Sequence, residues 1–238
     1  MNITTKTLLP PLVIYILQDV SGSNKENGVV ILTSQELEPY ESIINRNVYL
    51  FFNVIDSNSA QRMVSIKLPM KTFTNPVLTI PEGVNPYEEE VLMKQYRLAK
   101  KQYKHDSSAY IADRNKRLQR FYNQVETFIA PYMKMVVNKK GDTVQAYAQH
   151  TDLVTAIQIA DKAFTGLEDA ELYLILNSDG FDSNHRVVNR LTHNVSLLVV
   201  NAHDKPTPAL EKLIPIKFQS LSQAVTYSLT NKTSNYGY

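Results

Sequence analysis

The sequence has no cysteine. That excludes disulfides, thiolate metal sites and a cysteine nucleophile, and it fits a reducing compartment. Glycines are few, seven in all, and they fall mostly at turns, with no Gly-rich phosphate loop among them. Neither sign of charge dominates: 25 Lys and Arg oppose 23 Asp and Glu, a formal net charge of +2. There is therefore no global electrostatic case for nucleic acid or an anionic membrane. No apolar run reaches the roughly 18 residues needed to span a bilayer. The N-terminal stretch "LLPPLVIYILQDVSGS" has the apolar look of a signal peptide, but Pro10 and Pro11 interrupt it and no small-x-small cleavage pattern follows. A soluble, cytoplasmic protein is expected. A chain of 238 residues, 43% hydrophobic, can bury one large core, or one core plus an appendage.

What is present begins with an almost unbroken apolar run, Leu12 to Leu17. A short run of this kind suits a strand covered on both faces, as in a parallel sheet flanked by helices. Asp19, Ser21 and Ser23 follow at alternate positions, where the chain leaves the sheet. Three oxygen-bearing side chains at that spacing on a tight turn can converge on one point. Hard oxygen ligands suit Mg²⁺ or a similar cation rather than zinc. The plainer alternative is that the acid and the serines only cap a turn.

Farther on, 31–45 reads as a short helix, with Thr33 and Glu36 at capping-box spacing. Residues 48–56 and 61–68 read as a β-hairpin, and the proline-bearing stretch 69–85 as a connecting loop. From Pro86 to Tyr132 the chain turns polar and almost free of breakers. Leu92, Tyr96, Ala99, Tyr103 and Tyr110 make one helical stripe, and Leu118, Phe121, Val125, Phe128 and Ile129 a second. The segment "HDSSA" (105–109) either separates two helices or merely interrupts one. The remainder alternates: helix 152–164, strand 172–177, helix 183–192, strand 195–201, strand 214–218 and helix 221–229. The expected fold is a single α/β domain over 1–238. Its sheet is mostly parallel with one antiparallel hairpin edge strand, helices lie on both faces, and 86–132 is a helical insertion.

Ligands in open parallel sheets collect outside the carboxyl ends of the strands. Two further segments can place oxygens there: Thr151-Asp152, opening an amphipathic helix, and Ser178-Asp179-Gly180, ending a buried strand. Taken singly, the first reads as an N-cap and the second as a turn. Taken together, Asp19-x-Ser21-x-Ser23, Thr151 and Asp179 resemble the metal-ion-dependent adhesion site of the von Willebrand factor A domain. The order of elements is similar too, over roughly 10–73 and 140–230.

The resemblance implies direct cation binding through the hydroxyls of Ser21 and Ser23. Thr151 would bind directly or through water, and Asp19 and Asp179 largely through water. The implied cofactor is Mg²⁺, with Mn²⁺ or Ca²⁺ as alternatives. An open coordination position would then capture an acidic side chain of a protein partner. The family resemblance also suggests assembly in ATPase-linked complexes. Asp182 is a competing carboxylate nearby, and His150, beside Thr151, reads as a surface histidine.

Two rival classes fare worse. Asp-x-Ser after a first strand is similar to haloacid-dehalogenase-type phosphatases, which bind Mg²⁺ there, but their second aspartate is Ser21 here. There is no G-x-S-x-G elbow, and the five histidines show no metal-ligand spacing. The expectation is a protein that is not an enzyme. Nucleic-acid binding would rest on the basic residues and tyrosines of the insertion. Acidic residues dilute that field, so it stands as the alternative.

Overall fold

The computed structural model describes residues 9–22, 32, 34–37, 39–40, 43, 45–56, 63–137, 139–200 and 207–230. The elements in chain order are β1 (Leu12–Asp19), α1 (Ser34–Leu37), β2 (Val48–Ile55), β3 (Val64–Leu68), α2 (Pro86–Met133), β4 (Met135–Val137) and β5 (Thr143–Gln145). They continue with α3 (Leu153–Ala163), β6 (Glu171–Asn177), β7 (Ser196–Val200), β8 (Ile216–Phe218) and α4 (Leu221–Thr230). A short 3₁₀ turn, Pro208–Leu210, precedes β8.

Six strands form one sheet in the order β3-β2-β1-β6-β7-β8, and β4 and β5 form a separate antiparallel ribbon. β1 pairs in parallel on both sides, with β2 and with β6. All eight of its residues are buried, which is why its apolar run is continuous rather than alternating. β3 joins β2 antiparallel, whereas β7 and β8 extend the sheet in parallel. The fold is α/β with a mostly parallel sheet.

Alternate residues of β1 feed opposite cores. Leu12, Ile14 and Ile16 point into a layer with Leu118, Phe121 and Val125 of α2 and with Ala224 and Val225 of α4. Val13, Tyr15 and Leu17 point into the other, with Leu153, Ile157 and Ala160 of α3. The period-2 geometry of a strand makes this division unavoidable once both faces are covered. Among the described residues, no helix is long and apolar enough to cross a membrane.

α2 is one continuous helix of 48 residues, so "HDSSA" does not divide it. In that segment Ser107 Oγ donates to Tyr103 O and Asp106 Oδ1 accepts from Gln102 Nε2, both within the helix. Asn85 caps the start through Glu88 N, and Pro86 occupies the first turn. The second stripe is buried as expected at Leu118, Phe121, Val125 and Ile129, with Phe128 packed against them. In the first, Ala99 is exposed and the rest only half-buried: Tyr103 and Tyr110 pack on Phe73, and Tyr110 Oη donates to Pro69 O.

The helix expected at 183–192 does not form. Asp182 instead draws the Asn184 and Arg186 N–H groups onto its carboxylate, and His185 takes a left-handed φ of 55°. The β4–β5 ribbon went unread in the sequence because each strand has only three residues.

Candidate metal centre

The chain leaves β1 toward β2 on one side and later returns to β6 on the other. The carboxyl ends of β1 and β6 therefore flank the point where strand order reverses, the usual crevice for a ligand in an open α/β sheet. Asp19 ends β1, and Asp179 lies two residues beyond the end of β6. The same ends are rich in buried polar groups. Asn177 Nδ2 donates to Gln18 Oε1 at 2.8 Å, and Gln18 Oε1 also accepts from Leu32 N.

Asp19 is 1% exposed. One carboxylate oxygen accepts from Ser21 N at 2.8 Å, the other from Ser178 Oγ at 2.6 Å. Burial pushes its carboxyl up to about 6, against the pull of these bonds; the charge of Asp179 adds to the rise. The two carboxylates thus feel each other. Asp179 Oδ1 accepts from Phe181 N. Its Oδ2 is buried and meets no hydrogen-bond partner among the described residues. A buried acceptor left open in this way costs about 1–3 kcal/mol, and more when it is charged.

Ser21 is buried and forms an isolated parallel bridge with Ala148, whose N–H donates to Val20 O. That bridge brings the segment leading to Thr151 alongside the opening loop. Gly22 sits under the ring of Tyr147, where an added Cβ would lie 3.0 Å from Cδ2. Thr151, itself buried, donates its N–H to Ser183 Oγ at 2.7 Å and accepts Ser183 N at 2.9 Å. The three segments named in the sequence therefore meet at one end of the sheet. Ser23 lies outside the described residues.

Asp182 does not compete for a cation. Its side chain is fully buried and accepts five N–H donors: Val154 N, Asn184 N, and Arg186 N, Nε and Nη2. Burial works against its charge, but these bonds and the guanidinium hold its carboxyl below the usual range. Arg186 also bonds Asp152, which caps α3 through Thr155 N. One arginine thus ties the loop after β6 to the start of α3, and with it Thr151 to Asp179. His150 is exposed.

The sequence reading named Ser178 without its role and did not single out Ser183 or Arg186. Ser178 orients Asp19 from 159 positions away, Ser183 fixes Thr151, and Arg186 clamps the loop. Only the polar run "NSDGFDSNHR" hinted at them. Gly180 has φ 80°, and a Cβ there would lie 2.7 Å from the Thr207 side chain. Only glycine fits this turn without strain. What results is a group of oxygen-bearing side chains with two neighbouring carboxylates, one of whose oxygens, Asp179 Oδ2, is buried and meets no partner among the described residues. Compared with protein-family models, with curated proteins and with solved structures, the chain has no match.

Proposed function

We propose that this chain is a cation-dependent protein-binding module of the von Willebrand A type, and not an enzyme. The observation that carries the reading is the Oδ2 of Asp179, buried and without a hydrogen-bond partner among the described residues, beside the buried carboxylate of Asp19. Two neighbouring carboxylates disfavour each other's charge, and a hard cation is the natural complement to an all-oxygen set. The strand order, with the site at its reversal point, supports the same reading.

Ser21, Ser23 and Thr151 would hold Mg²⁺ by their hydroxyls, and Asp19 and Asp179 would balance its charge, partly through water; Mn²⁺ or Ca²⁺ are alternative occupants. The bound ion supplies a Lewis-acidic position for an acidic side chain of a protein partner. The chain's own part is to keep the donors aimed. Ser178 fixes the Asp19 carboxylate, and the Ser183 and Arg186 contacts hold Thr151 and Asp179 in place. A cytoplasmic partner, in an ATPase-linked assembly, belongs to this proposal.

Calorimetric titration with Mg²⁺ and Mn²⁺ tests it, on the full chain and on Asp19→Ala and Ser21→Ala. One-site binding lost in both variants supports the reading. Unchanged binding in either variant would remove the assignment.

A further inference from the structure

The first 28 residues of α2, 86–113, contain no buried residue. A helix this polar and this open needs either many internal pairs or a partner. On one side it has company. Leu92, Tyr96, Tyr103 and Tyr110 are half-buried, and the last two lie against Phe73 of the extended segment before the helix.

The opposite side is bare. Tyr87 is 77% exposed, Val91 39% and Leu98 62%. At 3.6 residues per turn these three fall within about 40° of one another, facing away from Phe73. Charge along the same stretch is segregated. Glu88, Glu89 and Glu90 open the helix, whereas Lys94, Arg97, Lys101 and Lys104 follow with no acid between them. Glu90, Arg97 and Lys101 lie on one flank of the apolar stripe.

We infer that this face binds a second copy of the chain, arm against arm and antiparallel. Setting Val91 of one copy opposite Leu98 of the other aligns the two apolar stripes. It also carries the acidic opening of each helix onto the basic stretch of its partner. A two-fold antiparallel pair brings like flanks together, so Glu90 meets Arg97 and Lys101 of the other copy twice over. The geometry has one flaw. Lys94 falls beside the two-fold axis and meets its own copy, a like-charge contact that keeps the pair weak and reversible. This surface is separate from the cation site, and neither requires the other.

Sedimentation equilibrium of the full chain over a wide concentration range reads the association directly. A weak dimer is expected for the native sequence. Leu98→Glu should make it monomeric, and Lys94→Leu should tighten the dimer about tenfold by removing the repulsion and completing the stripe. All these positions are exposed, so circular dichroism should stay native.

The charge pattern gives the sharper test. Glu88→Lys/Glu89→Lys/Glu90→Lys and Arg97→Glu/Lys101→Glu should each be monomeric alone, and mixing them should restore a dimer. A monomer for both the native chain and Lys94→Leu overturns the inference. So does a dimer that survives Leu98→Glu, or a mixture that stays monomeric. A monomeric chain whose arm retains single-stranded DNA would also overturn it and assign the basic stretch to nucleic acid.

Discussion

Asp179 and Asp182 sit three residues apart on the same loop and are treated in opposite ways by the fold. Asp182 is closed off from solvent and saturated by five N–H donors, three of them from Arg186. Asp179 has one oxygen bonded and one buried with no partner among the described residues. The first is spent on architecture. The second is held at a cost that nothing in the described structure offsets. On the reading proposed above, that open acceptor is where a cation would bind.

The contrast can be broken from the structural side first. Asp182→Ala removes the acceptor of five donors and strands Arg186 beside Asp152, and should cost about 3–5 kcal/mol, the range for breaking a buried pair. Urea unfolding would read it. Arg186→Ala should cost less, about 2 kcal/mol, because the guanidinium is 39% exposed and partly screened. Both should loosen Thr151 and weaken cation binding along with stability.

Gly180→Ala forces a side chain into a left-handed turn and against Thr207. A loss of about 1–3 kcal/mol is expected, with Asp179 displaced. A variant as stable as the native chain would show that the turn can open without penalty.

Acid should expose the same difference. The folded-state value of Asp182 lies below its unfolded value, so its contribution is fully present above the unfolded value and is lost as pH falls through the folded one. Stability measured from neutral pH down into the acid range should therefore fall more steeply in the native chain than in Asp182→Asn. Parallel curves would contradict the assignment.

Much of this was legible in the sequence. The apolar run 12–17 announced a central parallel strand, and the polar stretches around Asp19, Thr151 and Asp179 pointed to one end of the sheet. Long-range supports were not legible. The Ser178–Asp19 bond links residues 159 apart, and no local pattern encodes it. The helix expected at 183–192 is broken in its first turn, where His185 takes a left-handed φ of 55° and Arg186 N bonds the Asp182 side chain. The unity of α2 was hidden for the converse reason, since Ser107 and Asp106 bond within the helix instead of ending it. The two halves of that helix also differ. Periodicity found the buried stripe from Leu118 to Ile129, but a bare stripe such as Tyr87, Val91 and Leu98 looks like ordinary surface until its exposure is known.

The most direct measurement is thermal unfolding of the native chain and Asp179→Asn, each with and without Mg²⁺. Asn keeps the acceptor for Phe181 N but removes the charge. Without Mg²⁺ the variant should be the more stable of the two, because the repulsion with Asp19 is relieved. With Mg²⁺ at about 100 times its Kd, the native chain should gain about 2.7 kcal/mol and the variant almost nothing. A variant less stable than the native chain without Mg²⁺, or one that gains equally from the ion, would contradict the claim that Asp179 is held in readiness for a cation.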